Sequence, residues 1–547
     1  MRTFVRFVPL LLLSVLQLSG NAQISFNVTL FGTLNPIPIR YSGCWGYAAP
    51  DGAEYALLGG NLGTHVIAID DSTDIHEIDF IDGQDSNWRE ITVIGDYAYV
   101  STEGGGDLQG MQVIDLTFLP DSVHLVTTYT ATFLRSHIIM RDITTEDPVV
   151  YVSGTSSTGG VHMIDVSNPA NPVEIGLYDP PHYIHDAHVR GNLLFASALS
   201  EGLDIVDITD KANPVLLSRI EHPSQFTHSV WTTVDLSHVV VTDEVDGLPA
   251  RIWDIKDLDN PVEVAQYSAN LQSLVHNPYV VGNLVFLSHN TEGLRVLDIR
   301  DPSLPVEVGY YDTFPGPSGG FNGLWSAYPY FPSGKIIGGN REDGLYVWRF
   351  SGTRAVRIYG VVLDSSSSEP ISGAEITIEQ TGQTVTTEGN GFFHLASLPP
   401  DSVGYTLIAT AAGYASLTLD SLFLPGSEDS LTLEIRLRSL VSSVDDGLVP
   451  EDLALAQNFP NPFNASSTIV FRLPATRDGS SALVSLSIFD LLGRKIAQLV
   501  SEELSPGTHT RVWNGLDATG NPVSSGVYLY RLNAGGAVLT RSMLLLK

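Results

Sequence analysis

The chain of 547 residues has a single cysteine, Cys44, so no disulfide can form within it. A lone cysteine is more often a small apolar filler than a nucleophile. Basic residues are scarce: 28 Lys and Arg stand against 61 Asp and Glu, for a net charge of −33. That charge repels nucleic acid and anionic membrane surfaces, which excludes both as partners. Beyond the N-terminal segment no apolar run is long enough to span a bilayer, so no transmembrane segment is expected. Amphipathic periodicity of the helical kind is also missing. There is no P-loop, dinucleotide fingerprint, HExxH pair or nucleophile elbow, and the chemistries they signal have no support.

What the chain has in quantity is 50 Gly and 31 Pro, which cut short runs of Val, Ile, Leu and Tyr. With 43% apolar residues, this is the pattern of an all-β chain with several cores. At the N-terminus, Arg2 and Arg6 precede the apolar run Val8 to Leu18 and the small-residue site Gly20-Asn21-Ala22. These features predict a signal peptide over residues 1–22, cleaved after Ala22, and an exported product.

The stretch Gly293-Leu294-Arg295-Val296-Leu297-Asp298-Ile299 recurs through the first two thirds of the chain. Its apolar side chains fall on both faces, as a strand covered on both sides requires. Aligned on its Asp, the copies place Asp70, Asp115, Asp165, Asp207, Asp254 and Asp298 in register, with Arg349 in the last copy. The steps are 45, 50, 42, 47, 44 and 51 residues, the length of one four-stranded sheet. Seven such sheets in a circle make a seven-bladed β-propeller over residues 23–350.

Three details follow from this pattern. An Asp at a strand end hydrogen-bonds the backbone two residues on and starts a turn. Pro172, Pro214, Pro261 and Pro305 each precede the Val that opens a fourth strand, which predicts outer edges there. The last repeat shows three strands, and Ile24 to Phe31 is expected to supply its fourth and close the ring.

The run Gly202-Leu203-Asp204-Ile205-Val206-Asp207-Ile208 with Asn213-Pro214-Val215 resembles the LVIVD-repeat family of bacterial surface propellers. His276-Asn277, Gly309-Tyr310-Tyr311-Asp312-Thr313 and Trp325-Ser326-Ala327-Tyr328-Pro329-Tyr330 are similar to its choice-of-anchor (B-type) members. In those proteins one propeller is paired with interchangeable C-terminal attachment signals.

Gly360-Val361-Val362-Leu363-Asp364, Pro370-Ile371-Ser372-Gly373-Ala374 and Ala412-Gly413-Tyr414 resemble the carboxypeptidase regulatory-like domain. The resemblance implies a β-sandwich over 354–438, in which Thr384 to Thr387 and Phe392 to Leu395 read as a hairpin. A linker, 439–452, leads to a segment over 453–547 that opens on Phe459-Pro460-Asn461-Pro462-Phe463-Asn464. With Leu486-Ser487-Ile488-Phe489-Asp490 and Gly526-Val527-Tyr528-Leu529-Tyr530, it resembles the C-terminal sorting domain of the type IX secretion system. The resemblance implies that machinery as a partner, and a product secreted or held at the outer-membrane cell surface.

His137, His185, His228 and His276 stand at nearly equivalent places, 48, 43 and 48 residues apart, on first strands that line the centre of a propeller. Converging there with Asp243, Glu244 and His289, they would form a divalent metal site. The plainer alternative is that every blade needs the same inter-blade hydrogen bond. His185 and His188 are three apart on a strand and face opposite sides, so they do not chelate together. Trp231, Trp253, Trp325 and Trp348 read as packing between blades. Asp257-Leu258-Asp259 lacks the spacing of a calcium loop. The leading expectation is a binding or adhesion module for a surface glycan or protein. The alternative is an extracellular metal-assisted hydrolase or lyase with a His-lined site.

Overall fold

The computed structural model describes residues 25–546 except 38, 223–224, 398–403, 423–429, 441–452, 465, 475–480 and 491–492. The expected signal segment, the cleavage site at Ala22 and most of the 439–452 linker lie outside the described residues. Among the described residues every regular element is a strand, and no helix is present to cross a membrane. The chain divides into two compact units between Ala355 and Val356, and the second takes in both of the expected C-terminal domains.

In the first unit the described residues form seven sheets, numbered here in chain order. Sheet 1 spans 41–82, sheet 2 91–129, sheet 3 138–178 and sheet 4 186–220. Sheet 5 spans 227–267 and sheet 6 277–311, and sheet 7 combines 324–350 with Val28–Leu34. Neighbouring strands are antiparallel within each sheet. The first strand of each sheet packs beside that of the next, and Leu324–Tyr328 of sheet 7 packs beside Tyr41–Ala48 of sheet 1. The first strands therefore run in a closed cycle.

The apolar cores lie between neighbouring sheets. In sheet 3, Val161 and Met163 pack with Ala187 and Leu194 of sheet 4, while Ile164 packs with Tyr99 and Val113 of sheet 2. The same strand thus buries both faces, which is why its apolar residues do not alternate with polar ones. Gly202 and Gly293, ahead of the third strands of sheets 4 and 6, have φ of 89° and 74°. A Cβ at either would sit 2.2 Å from a carbonyl at the end of the fourth strand, so close backbone approach explains the repeated glycine.

The repeated aspartates make the expected turns at five of six positions: Asp115, Asp165, Asp207, Asp254 and Asp298 each accept the N–H two residues on, at 2.8–3.0 Å. Asp70 differs, accepting Glu54 N–H at 3.2 Å and Lys335 Nζ at 3.1 Å. A feature that the spacing does not announce recurs in all seven sheets. The register between third and fourth strands shifts once in each, as at Ile205/Val206 and Val296/Leu297. Such bulges bend the outer strand and add twist.

Three expectations are corrected. The strand on the outer edge of sheet 7 is Val28–Leu34, paired with Gly344–Phe350, whereas Ser25–Phe26 pairs with Tyr310 and Tyr311 of sheet 6. The fourth strand of sheet 6 is for that reason not an edge. Pro305 is compatible with this because the added strand pairs at the far end. The third correction is in the second unit: Thr384–Thr386 and Phe392–Ser397 do not form a hairpin. Thr384–Thr386 pairs with Glu375–Ile378, Phe392–Ser397 pairs with Val356–Asp364, and the intervening turn carries the chain between two sheets.

Those two sheets, of four and three strands, share a core of Ile358, Ile376, Leu395, Leu407 and Ile435. A second pair, again of three and four strands, encloses Phe463, Ile469, Leu486, Trp513 and Tyr530. Val296 is fully buried in the third strand of sheet 6. Replacing it with Ala should cost about 1–3 kcal/mol in a denaturant melt, scaled down from larger core truncations. A near-neutral outcome would mean that this strand is not enclosed on both faces.

Candidate functional site

The closed cycle places one residue from the start of each first strand in a single layer: Gly43, Glu90, His137, His185, His228, His276 and Trp325. Imidazole centroids are 4.2 Å apart from His137 to His185, 4.5 Å to His228 and 4.2 Å to His276, and the row ends on Trp325 at 4.1 Å. Trp325 Nε1–H donates to Glu90 Oε1 at 2.9 Å. A side chain at Gly43 would meet Glu90 Oε2 at 2.2 Å, so glycine there leaves the room in which Glu90 and Trp325 join.

Each histidine is tied to the framework through its backbone or its Nδ1. The Ser101 and Ser153 hydroxyls donate to the His137 and His185 carbonyls at 3.1 and 3.0 Å, and Thr242 donates to the His276 carbonyl at 2.6 Å. His228 Nδ1 lies 3.1 Å from the His276 carbonyl, and His276 Nδ1 lies 2.9 Å from the Trp325 carbonyl. A carbonyl only accepts, so both Nδ1 atoms carry the proton and each Nε2 keeps its lone pair. Inter-sheet hydrogen bonding is therefore one function of the repeated histidine. His137 differs: its Nδ1 lies 2.7 Å from Glu103 Oε1.

Glu244, on the loop after the second strand of sheet 5, faces the row. Its Oε1 lies 3.9 Å from His228 Nε2 and 3.8 Å from His276 Nε2, and its Oε2 lies 3.8 Å from His185 Nε2. Two sets of potential ligand atoms each fall within 4.8 Å: His137, His185 and His228, and His228, Glu244 and His276. Asp243 and His289 take no part. The Asp243 carboxylate accepts Phe226 N–H at 2.8 Å, and His289 Nε2 accepts Ala269 N–H at 3.3 Å from the segment that joins sheets 5 and 6. Asp243 is the last residue of the second strand of sheet 5, whereas Glu244 is the first residue beyond it.

Burial sets the charges. It pushes His185 and His228 well below the ordinary imidazole value and His276 down to about 3. These three rings are neutral near pH 7. Burial acts on His137 in the same direction, but the bond and charge of Glu103, with Glu90 and Glu244, outweigh it and raise its pKa. Burial also pushes the carboxyls of Glu90 and Glu244 up to about 7. Arg341 lies 4.9 Å from the Trp88 ring and 4.7 Å from the Trp325 ring.

The opposite ends of the first strands border an open cleft of about 460 Å³ lined by Trp45, Tyr47, Tyr328, Tyr330, Arg141 and Glu146. The Trp45 and Tyr328 rings are 5.1 Å apart, and Tyr328 and Tyr330 5.4 Å apart. The signal for this group was Tyr328-Pro329-Tyr330, at and just beyond the end of the first strand of sheet 7. The four tryptophans read as packing, Trp231, Trp253, Trp325 and Trp348, are buried. Cys44 is buried as well, and burial pushes its thiol up to about 12, which removes it as a nucleophile at neutral pH. Asp257 makes a plain turn, accepting Asp259 N–H at 3.1 Å.

In the second unit, Phe459-Pro460-Asn461-Pro462-Phe463-Asn464 is held against the last strand. Phe463 N–H donates to the Leu544 carbonyl at 2.9 Å, Asn461 Oδ1 accepts Leu544 N–H at 2.7 Å, and the Phe463 ring is buried 5.6 Å from Trp513.

The chain matches the LVIVD repeat over 87–115, 151–180, 183–221 and 277–313, and the carboxypeptidase regulatory-like domain over 357–438. No curated protein matches the chain.

The Glu90 carboxyl gives a pH test. Below its ordinary value of 4.5, folded and unfolded chains are both protonated; between 4.5 and about 7 only the folded chain keeps the proton. Its contribution to stability therefore falls as pH rises through that window. Glu90→Gln retains an acceptor for Trp325 and removes the titration. The stability difference, variant minus parent, should increase in the variant's favour from pH 5 to pH 8 in paired denaturant melts. A difference that stays flat would mean that Glu90 is ionised in the folded protein throughout.

Proposed function

We propose that the first unit is a seven-bladed β-propeller of the choice-of-anchor type that acts as a binding or adhesion module, displayed at the cell surface or secreted. The closed cycle of first strands and the LVIVD matches support the propeller. The observation that carries the binding role is the aromatic cleft. At about 460 Å³ it falls in the size range of small-ligand sites, roughly 300–1,000 Å³. Its rings beside Arg141 and the exposed Glu146 suit a glycan or a polar peptide segment, which needs an apolar face and polar groups together.

The second unit is proposed as two β-sandwiches: a carboxypeptidase regulatory-like spacer over 354–438 and, after the 439–452 linker, a type IX secretion sorting domain over 453–547. Support for the sorting role is the motif at 459–464 and the enclosed core it joins. A signal peptide over 1–22, cleaved after Ala22, would begin the same route. A second reading, a metal-assisted extracellular hydrolase or lyase, draws on the imidazole row with Glu244.

Two experiments test these proposals. On glycan and protein arrays probed with the purified chain, Tyr330→Ala should weaken a captured ligand about tenfold or more, as loss of an aromatic anchor does. Capture indifferent to Tyr330 would move the binding role away from the cleft. In a host with type IX secretion, deleting residues 453–547 should leave the protein in the periplasm by cell fractionation. Surface delivery of the truncated chain would end the sorting assignment.

A further inference from the structure

We infer that the histidine end of the ring binds one divalent first-row transition ion of the Zn²⁺ class, through His228 Nε2, His276 Nε2 and Glu244 Oε1. The first observation is a pair of orphaned acceptors. The His228 and His276 side chains are each 1% exposed, and neither Nε2 has a hydrogen-bond partner. Other buried ring nitrogens, such as those of His65 and His188, also have no partner among the described residues, but these two lie near a single carboxylate oxygen, and that convergence points to something that binds between them. The carboxylate is too far for a hydrogen bond, at 3.9 and 3.8 Å.

The spacing suits an ion. Ligands about 2.1 Å from a tetrahedral Zn²⁺ sit about 3.4 Å from one another; the two carboxylate–imidazole distances exceed this by a few tenths of an ångström, and all three ligand atoms lie within 4.8 Å of one another. Glu244 is the ligand able to shift, because it stands on a loop and is 15% exposed while the imidazoles are fixed. They are fixed by the Nδ1–H bonds to the carbonyls of His276 and Trp325, the outer interactions that orient metal-bound imidazoles.

The donor set selects the class of ion. Two imidazoles and one carboxylate favour zinc and its first-row neighbours, while calcium and magnesium seek oxygen shells. Three protein ligands leave one position open to water or to a ligand. The other set, His137, His185 and His228, shares His228, whose Nδ1 is already committed, so the two sets compete for a single ion. The set with Glu244 is preferred because it sets a negative charge against the dication. This site stands whether or not the aromatic cleft captures a ligand, since the two lie at opposite ends of the first strands.

The test is Zn²⁺ titration of the full chain, stripped with chelator and dialysed, in competition with a chromophoric chelator at pH 7.5. The parent should bind one ion per chain. Glu244→Gln and His276→Gln should each weaken binding at least tenfold, and His289→Gln should leave it unchanged. Co²⁺ should give the parent a visible absorption band that Glu244→Gln lacks. His276 also carries an inter-sheet bond, so Glu244→Gln, whose thermal melt without metal should match the parent, decides the matter if His276→Gln fails to fold. Absence of stoichiometric binding by the parent would overturn the site. So would parental affinity in Glu244→Gln, or a loss confined to a His137→Gln variant, which would assign the ion to the competing set. Array capture by the metal-free chain reports on the binding module separately.

Discussion

Everything in the first unit depends on bringing seven first strands side by side in a closed cycle. Backbones converging in this way leave little room, and side chains at the start of each strand must settle against one another. The layer from Gly43 to Trp325 shows the result: glycine where the neighbouring carboxylate needs space, tryptophan reaching across to it, and a run of stacked imidazoles between. Each residue is suited to the ones beside it. The repeat is thus regular in backbone and irregular in chemistry.

Outside this layer the cores do ordinary work. They lie between sheets, so every third strand is buried on both faces and each sheet is stabilised only by its neighbours. Stability of such an array is shared around the cycle, as in other repeat proteins. Placing Val28–Leu34 beside Gly344–Phe350 joins the two ends of the repeat region in one sheet and protects what would be a free edge.

Much of this was legible because it rests on local chemistry. The aspartate turns could be read from one residue and its backbone, and the prolines marked fourth strands because a missing N–H is tolerated there. The stretch Gly293–Ile299 holds the third strand of sheet 6, Leu294–Asp298, where its apolar run places it. What could not be read depended on pairing across long separations. Ser25–Phe26 and Val28–Leu34 are almost contiguous yet join different sheets, and Asn27 between them has φ of 54°. A Gly-containing turn at 388–391 has the same local appearance whether it closes a hairpin or crosses between sheets. The bulges are equally silent, because one extra residue does not disturb a repeat of more than 40. In the candidate site the four histidines were read from spacing, whereas Glu244 was grouped with Asp243 and His289, and of those three only Glu244 faces the row. The strand ends between them: Asp243 is its last residue and Glu244 the first of the loop.

The two explanations for the histidines, mortar between sheets and ligands for an ion, concern different nitrogens of the same ring. Nδ1 of His228 and of His276 is bonded to the next sheet's carbonyl, which accounts for recurrence without any ligand. That bond leaves Nε2 as a buried lone pair, and mortar alone offers no account of where it points. Asparagine could supply an N–H to the same carbonyl without burying a second nitrogen; Asn277 Nδ2 reaches the Trp325 carbonyl at 3.4 Å. Imidazole at these positions therefore carries a cost that hydrogen bonding between sheets does not require. An occupant of the space between the Nε2 atoms and Glu244 would offset that cost, and the structural bond would then serve it by holding both rings in place.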